Sequence, residues 1–550
     1  MKKIATLLLA AGLVFGASTG ANAIDFKVKG EWNMSFQYGQ NGNFRNSHMG
    51  GNTGYDKDRR GEDEFEAIQR LRLALTAVAS EQLSGFVQFE IGKSTWGRRG
   101  QGAGMGADEN SPIKLKNAYI DWMVPQTDLK VRMGLQGIDL PSFIGGSSVL
   151  SDDMAGVSLS YQFNENVGAT FVWARPLNDN YDGGKIIDWR DPSKNHNPNS
   201  EKSFMDNFDA FALLIPVTLD GFKITPWGMY AAIGPNALRT SGKDDAMSED
   251  ELGSWAGLSG GTVDDLRNGI APLGGPLHKD GSSASKKRSS TRYGDAFWVG
   301  LPGEITYFDP FRVAWDANYG SVRFSDGRLT RQGWLASLLF EYKLDWGIPG
   351  IYGWYGSGDD SDPSNGSERM PYITLNNADD GFSSYAFNQG FQFNREATVS
   401  NSRTGTWGVG IRLKDFSFVE DLKHTFAINY IGGTNSPTMT KKLARQYVEK
   451  PGSVKMEMAN TAFANGYGSD GLYMTTDDSI LEFNLTSTYQ MYENFKIIVD
   501  FGYLATWLSD NSKRANFGTK DGPNSLGQYG VGKYGVSDPW NINVNFFYSF

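Results

Sequence analysis

The chain has 550 residues, no cysteine and a formal charge of -10 at pH 7. Its length allows several ordinary domains or one large β-barrel. A chain without cysteine forms no disulfides, so packing and hydrogen bonds must hold it together, and the excess of acidic residues argues against nucleic acid as a partner.

Residues 1–23 have the pattern of an export signal. Lys2 and Lys3 give a basic start, an apolar stretch follows from 4 to 15, and "ANA" at 21–23 places small residues where a signal peptidase cleaves. An uncleaved membrane anchor is the alternative, but the apolar stretch is shorter than the roughly 20 residues that a spanning helix needs. We therefore expect a cleaved signal peptide and a mature chain that begins at Ile24.

Strand patterns dominate the mature chain. In "FKVKGEWNMSFQYG" apolar and polar residues alternate, as they do along a β-strand with one apolar face. The same alternation recurs and predicts 18 strands; 83–93 and 348–357 are the weakest, so 16 is the alternative count. The predicted strands are 26–38, 65–79, 83–93, 113–124, 127–136, 154–163, 166–175, 207–218, 220–233, 293–307, 310–322, 331–343, 348–357, 404–418, 421–433, 478–490, 493–508 and 538–550.

The connections between these strands alternate strictly between short and long, the longest running from about 234 to 292. A transmembrane barrel explains this alternation, because its turns lie on one side of the membrane and its loops on the other. A soluble β-sandwich gives no reason for it. We therefore predict an all-β fold, a transmembrane antiparallel up-and-down β-barrel of about 16–18 strands, formed by residues 24–550 as a single domain.

The chain ends in "NINVNFFYSF", residues 541–550. Ile542, Val544, Phe546, Tyr548 and Phe550 share one face of an extended strand. We predict that this strand closes the barrel against 26–38 with its apolar face toward lipid, because closure pairs the backbone groups and removes the sheet edge. For this segment alone, an edge strand of a soluble sandwich is the alternative.

Several short motifs resemble Gram-negative trimeric outer-membrane porins, most closely the homotrimeric porins of sulfate-reducing bacteria. These motifs are the "ANA" signal end, "NAYIDW" at 117–122, "DPFRVAWDANYGS" at 309–321 and the aromatic pattern that ends in Phe550. The resemblance covers the whole mature chain. It implies a homotrimer of water-filled barrels in contact with outer-membrane lipid and lipopolysaccharide, with the third long loop folded into each pore. It also implies that Phe546, Tyr548 and Phe550 form the terminal signal used by the outer-membrane assembly machinery.

The third long connection, "QGIDLPSFIGGSSVLSDD" at 136–153, is rich in apolar residues. A loop exposed to water would have little use for them, whereas a loop folded against the inner wall could bury them. At roughly 3.3 Å per extended residue, this connection is long enough to cross a lumen. We therefore predict that residues 136–153 fold inward and narrow the pore.

Charged residues on this loop and on nearby strands form the predicted pore constriction. The set comprises the loop acids Asp139, Asp152 and Asp153 and the wall bases Arg70, Arg72, Lys116, Lys130 and Arg132. Acids that face bases would set up a transverse field that orients polar solutes. The alternative is that these residues are ordinary solvated charges. Because acids and bases oppose each other in an acidic chain, we expect only a slight preference for cations.

No catalytic residue, metal ligand or cofactor is predicted. The four histidines are His48, His196, His278 and His424; they lie far apart, and none has a partner at metal-ligand spacing. The stretch "SGDDSDPSNGSE" at 357–368 resembles a calcium loop in composition but not in EF-hand spacing. The stretch "SKKRSS" at 285–290 would suit lipopolysaccharide phosphates or a solvated loop tip.

These patterns together favour a porin for passive diffusion of small hydrophilic solutes and ions, and not an enzyme. A substrate-selective channel, for a sugar or an oxyanion, is the alternative within transport. A secreted soluble β-rich binding protein or enzyme is the alternative from another class of protein.

Overall fold

The computed structural model describes residues 24–40, 44, 64–98, 103–105, 113–178, 207–234, 266, 269–273, 277–280, 293–373, 381–387, 399–400, 402–445, 472–517 and 537–550. The predicted signal peptide, residues 1–23, lies outside this set. Among the residues that the structure describes, no helix is long and apolar enough to cross a membrane.

One antiparallel sheet contains 21 strand segments in the described residues. They are β1 (Asp25–Gln40), β2 (Glu64–Ser80), β3 (Leu83–Thr95), β4 (Ile113–Met123), β5 (Leu129–Asp139), β6 (Ser151–Gln162), β7 (Gly168–Asn178), β8 (Asn207–Leu214), β9 (Val217–Leu219), β10 (Phe222–Ile224), β11 (Trp227–Ile233), β12 (Gly294–Gly300), β13 (Gly303–Ile305), β14 (Phe311–Arg323), β15 (Arg331–Tyr342), β16 (Ile348–Gly356), β17 (Thr406–Val419), β18 (Leu422–Gly433), β19 (Ser479–Tyr492), β20 (Phe495–Trp507) and β21 (Trp540–Ser549). Helices α1 (Pro437–Arg445) and α2 (Asp510–Phe517) and a 3₁₀ turn (Gly327–Leu329) lie in the described parts of the connections.

Three wall strands are interrupted by proline, which has no N–H to donate to a neighbouring strand. Pro216 separates β8 from β9, Pro226 separates β10 from β11, and Pro302 separates β12 from β13. Each proline carbonyl still accepts a hydrogen bond from the strand beside it, at 3.0 to 3.1 Å. Counted as whole strands, the segments form a closed wall of 18 antiparallel strands. All 18 strands predicted from the sequence are present, and the alternative count of 16 is wrong.

The last strand closes the barrel against the first, as the sequence predicts. β21 pairs with β1 from Glu31 opposite Ser549 to Gln40 opposite Trp540. At the end of this seam, Gly30 and Phe550 exchange backbone hydrogen bonds of 2.7 and 3.0 Å. A Cβ on Gly30 would lie 2.1 Å from the Phe550 ring, so the aromatic ring occupies the space that the glycine leaves.

The two faces of the wall differ in polarity. Along β15, the outward side chains of Trp334, Leu338 and Phe340 are 42 to 46% exposed, whereas the inward Ser337 and Glu341 are buried. A soluble protein has the reverse arrangement, with its large apolar side chains inside. The outward face of the barrel therefore matches an apolar surrounding medium.

The inner face has two parts of different character. The polar wall, on β20, β21 and β1, buries Asn33, Ser35, Asp500, Asn543 and Asn545. The packed wall, on β7, β8, β11, β12, β14 and β15, has many small inward residues and a buried apolar cluster. Its inward alanines include Ala174, Ala210, Ala212, Ala231, Ala296 and Ala314. Because these side chains are small, they leave room for chain segments that fold into the lumen.

Candidate functional site in the lumen

The first lumenal segment is residues 140–150, between β5 and β6. Leu140, Val149 and Leu150 are at most 3% exposed and belong to the apolar cluster of the packed wall. Arg312 of β14 donates from Nη2 to the carbonyl of Phe143 at 2.5 Å. Because β14 is not a neighbour of β5 or β6 in the sheet, the segment extends across the lumen. The strands on either side are longer than predicted, so the connection is shorter than residues 136–153.

A second lumenal segment, residues 381–387, lies within the long connection between β16 and β17. The Oε1 atom of Glu482 accepts from Ser383 Oγ at 2.7 Å and from the backbone N–H of Ala386 at 2.8 Å. The Phe382 ring stacks on Tyr352 with centroids 4.2 Å apart. Tyr352 belongs to β16 and Glu482 to β19, so wall strands distant from β5 and β6 hold this segment. The sequence analysis did not predict it.

The two lumenal segments meet at Gly381. Its φ is +73°, a conformation that favours glycine, and an added Cβ would lie 2.2 Å from the Ile144 carbonyl oxygen. This close approach joins the segments into one obstruction inside the barrel. The obstruction lies against the packed wall, because both segments contribute residues to that wall's apolar cluster.

Inward charges form sets in which two bases share one carboxylate. Glu90 lies 3.9 Å from Arg70 and 3.0 Å from Arg72, and Asp121 lies 3.1 Å from Lys130 and 2.6 Å from Arg132. Each of these pairings joins neighbouring wall strands. The bases are partly exposed, with side-chain accessibilities from 11% for Arg70 to 42% for Lys130, so this part of the wall is open to water.

Two further sets continue around the wall. Glu304 accepts from Lys223 at 3.0 Å and from Arg312 at 2.9 Å. Glu341 accepts from Arg312 and from Arg412, each at 2.7 Å. Sharing a carboxylate fixes both bases in position, since charge-assisted hydrogen bonds are stronger and more directional than neutral ones.

An aromatic stack adjoins the Asp121 set. The rings of Phe86 and Tyr119 are stacked with centroids 4.9 Å apart, and the Arg132 guanidinium lies 4.0 Å from the centre of the Tyr119 ring. Arg132 also donates to both oxygens of Asp121, at 2.6 and 2.8 Å. The stack and the bidentate pair hold this arginine in one orientation on the inner wall.

Four of the predicted wall bases therefore lie on the inner wall: Arg70, Arg72, Lys130 and Arg132. Their partners are acids of neighbouring strands and not the predicted loop acids Asp139, Asp152 and Asp153. The predicted transverse field between loop and wall does not describe these contacts. Their role in a constriction stays a prediction.

The predicted loop acids need a correction of place. Asp139 ends β5, and Asp152 and Asp153 belong to β6, so all three are strand residues. Asp152 pairs with the buried Ile138 and faces inward, and continuous register then places Asp153 and Asp139 on the outward side. Lys116 forms its ion pair with Asp153, away from the shared-carboxylate sets. Whether each aspartate faces the lumen or the outside depends on the alternation of side chains at the strand end. The sequence did not show that β5 extends to Asp139 and that β6 begins at Ser151.

The residues that sequence reasoning missed are Arg312, Glu341 and Arg412, together with Glu304. Arg312 and Arg412 stand on the polar side of clearly alternating strands, "FRVAWDANYG" and "WGVGIRLK". That alternation was sufficient to place them inside the barrel. No sequence signal showed that they bind the lumenal segments, because those contacts join parts of the chain that are far apart.

Metal ligation has no support in the described part of the chain, where no group of three or more His, Asp or Glu side chains is arranged to hold an ion. His424 lies in β18 and shares a hydrogen bond of 2.8 Å with Ser487 Oγ. Its environment is that of a wall residue.

Comparison with known proteins finds no matching family model and no matching curated protein. Solved structures from Pseudomonas aeruginosa are similar. OccK2 (OpdF), in complex with glucuronate, is 10% identical, with 96% of this chain and 98% of that chain covered and a TM-score of 0.46. The outer membrane protein OpdK is 8% identical, with 96% and 98% covered and a TM-score of 0.44. OpdQ is 10% identical, with 96% and 98% covered and a TM-score of 0.45.

At these low identities and TM-scores the likenesses carry no argument about function, and the fold assignment rests on the closed ladder of strands. The resemblance to homotrimeric porins of sulfate-reducing bacteria stays a prediction.

Proposed function

We propose that the chain is an outer-membrane channel through which small hydrophilic solutes and ions diffuse passively. The observation that carries this proposal is the polarity of the closed barrel, with large apolar side chains outward and water-accessible ion pairs on the inner wall. An apolar outer surface of this extent is unfavourable in water and suits a bilayer. A charged inner wall suits a path for water and polar solutes.

Other parts of the proposal rest on the sequence alone. They are export by the signal at 1–23, assembly into a homotrimer, contact with lipopolysaccharide, and recognition of Phe546, Tyr548 and Phe550 by the assembly machinery. Tyr548, in β21, and Phe550, just after it, are exposed on the outward side and are accessible for such recognition. Cross-linking of purified protein in detergent would test the trimer.

The experiment that tests the channel is conductance of the purified protein in a planar bilayer, combined with fractionation of the membranes. We expect the protein in the outer membrane, ohmic current steps, and a gel band that shifts on boiling, since a closed barrel resists SDS until heated. Recovery in a soluble fraction without conductance would contradict the proposal and favour a secreted β-rich binding protein or enzyme.

A channel selective for anionic solutes is the second candidate, and the shared-carboxylate sets favour it. In these four sets, the carboxylates of Glu90, Asp121, Glu304 and Glu341 are shared by seven bases, which are Arg70, Arg72, Lys130, Arg132, Lys223, Arg312 and Arg412. Glu31, 3.6 Å from Arg70, is a fifth acid in these sets, so bases still outnumber acids locally. Charges beyond about 8 to 10 Å are screened at physiological salt, so this local excess matters more than the acidity of the whole chain. A reversal potential on the anion side in a salt gradient would support this candidate over the slight cation preference expected from the sequence.

A further inference from the structure

Glu341 occupies a central position among the inward charges. Its Oε2 accepts from Arg312 Nη1 and its Oε1 from Arg412 Nη2, both at 2.7 Å. The side chains of Glu341 and Arg412 are 7% and 9% exposed, whereas that of Arg312 is 30% exposed. Both oxygens of the Glu341 carboxylate thus accept hydrogen bonds, and the side chain is almost fully enclosed.

The strand between Glu341 and Arg412 is built to let them meet. Gly350 of β16 pairs with Glu341 on one side and with Arg412 on the other. A Cβ on Gly350 would lie 3.2 Å from Glu341 Cγ and 3.6 Å from Arg412 Cγ. A larger side chain here would stand between the two, so the glycine allows their ion pair to pass over an intervening strand.

Glu341, Arg312 and Arg412 form a trio, and each arginine of this trio also binds one lumenal segment. Arg312 donates from Nη2 to the Phe143 carbonyl of the first segment at 2.5 Å. Arg412 donates from Nη1 to the Gly381 carbonyl of the second segment. The two segments touch where Gly381 meets Ile144. One carboxylate therefore orients both of the guanidinium groups that bind the obstruction in the lumen.

We infer that Glu341 is a positioning residue that fixes both lumenal segments and thereby sets the width of the solute path. A guanidinium is a planar fork, so when one edge binds a carboxylate the remaining N–H groups have defined directions. Without the Glu341 carboxylate, Arg312 and Arg412 repel each other. Arg412 then loses its carboxylate partner and Arg312 keeps only Glu304, so the hold on both segments weakens. This inference rests on the proposed channel function.

The test compares single-channel conductance and reversal potential in five proteins. They are the wild type, Glu341→Gln, Glu341→Asp, Arg412→Lys and the control Asp121→Asn. Asp121 is also a carboxylate shared by two bases, and none of its hydrogen bonds reaches a lumenal segment. Arg412→Lys keeps the charge, but a single ammonium cannot reproduce the fork between Glu341 and Gly381.

We expect Glu341→Gln to raise conductance and current noise and to shift the reversal potential toward anions. Arg412→Lys should raise conductance and noise with little shift in selectivity. Asp121→Asn should shift selectivity without changing noise. A Glu341→Asp variant, which restores the charge, should recover part of the wild-type behaviour.

Three results would overturn the inference. The first is conductance and noise of Glu341→Gln and Arg412→Lys equal to those of Asp121→Asn. The second is a change in Glu341→Gln alone, which would mean that charge and not segment position matters. The third is loss of heat-modifiable, assembled barrel in both variants while the control assembles, which would make the trio a folding element. A wild type that conducts no current would instead refute the proposed function.

Discussion

The polar wall and the packed wall belong to one barrel with the same outward face, yet they contribute differently to the molecule. The packed wall buries Trp298, Leu335 and Leu339 against chain that has folded into the lumen. The polar wall buries amides such as Asn33 and Asn545, whose side-chain atoms lack hydrogen-bond partners within the described residues. Burial of apolar surface stabilises a fold, whereas an unpartnered buried amide costs free energy.

The comparison therefore separates stability from transport. We expect the packed wall to carry most of the internal stability, and the water-accessible bases from β2 to β5 to carry solute selectivity. The closing seam lies on the polar side, where little packing supports it, so its own backbone ladder and outward aromatic contacts must hold it. Phe546 contacts Phe36 across the seam with ring centroids 5.9 Å apart.

The largest effect should come from breaking the seam. Gly30→Leu places a side chain where the Phe550 ring lies, since even a Cβ would be 2.1 Å from that ring. We expect loss of assembled barrel in the outer membrane, measured as loss of the heat-modifiable gel band. Gly85→Leu is the matched control, because nothing lies within 4 Å of a Cβ at that outward glycine. Equal assembly of the two variants would show that the Gly30–Phe550 contact is dispensable.

The second largest effect should come from removing a large buried side chain of the packed wall. Trp298 is fully buried and donates from Nε1 to the Pro371 carbonyl at 2.8 Å. Trp298→Ala should destabilise the barrel by about 3 to 5 kcal/mol through loss of contacts and a cavity. The measurement is the temperature at which the heat-modifiable band is lost. Phe297→Ala, at the neighbouring outward position, should change that temperature much less; an equal loss would mean that the packed wall has no special role.

Selectivity should change on the open side of the lumen. Arg70→Gln together with Arg72→Gln removes two bases that share Glu90, and should move the reversal potential toward cations. Asp152→Asn together with Asp153→Asn should move it toward anions by a smaller amount, because Asp153 faces outward. Both shifts should shrink at molar salt, where screening is stronger. A larger shift from the aspartate variant would instead support the constriction that the sequence predicted at residues 136–153.

The smallest effect concerns pH at Glu368, in the connection that lies over β15 through the Gln332 to Ser367 hydrogen bond. Burial, followed by the charges of Asp359 and Asp360, raises the pKa of Glu368 to about 7. The folded segment therefore favours the protonated acid, so its stability falls as pH rises from the ordinary glutamate pKa to about 7 and then levels off.

We expect hydrogen exchange in residues 357–373, corrected for intrinsic rates, to show weaker protection above this range than below it. Glu368→Gln should remove the dependence on pH between these limits. Unchanged pH dependence in that variant would assign the effect to another group.

The sequence predicted the fold closely because the signal is local and repeated. In "FKVKGEWNMSFQYG" and the strands like it, side-chain alternation reports directly on a wall with one apolar face. The closing role of "NINVNFFYSF" followed from the same alternation, and its pairing with β1 is confirmed. The alternation of short and long connections then predicted that consecutive strands are neighbours in an up-and-down barrel.

The interior could be predicted only in part. Trp298, Leu335 and Leu339 face inward although a water-filled barrel would favour polar residues there, because their partners are segments brought in from distant connections. The Glu341 trio depends on three strands and two loops that are separate in sequence. Alternation shows which side of a strand a residue occupies; it does not show what the opposite side of the lumen provides.

The three proline breaks also have a mechanical consequence. Hydrogen bonds from Ile215 N to the Pro226 carbonyl and from Thr225 N to the Pro302 carbonyl link the breaks sideways from strand to strand. A sheet bends most easily where hydrogen bonds between its strands are missing. We expect these three strands to bend at this line, so that the wall changes its inclination there.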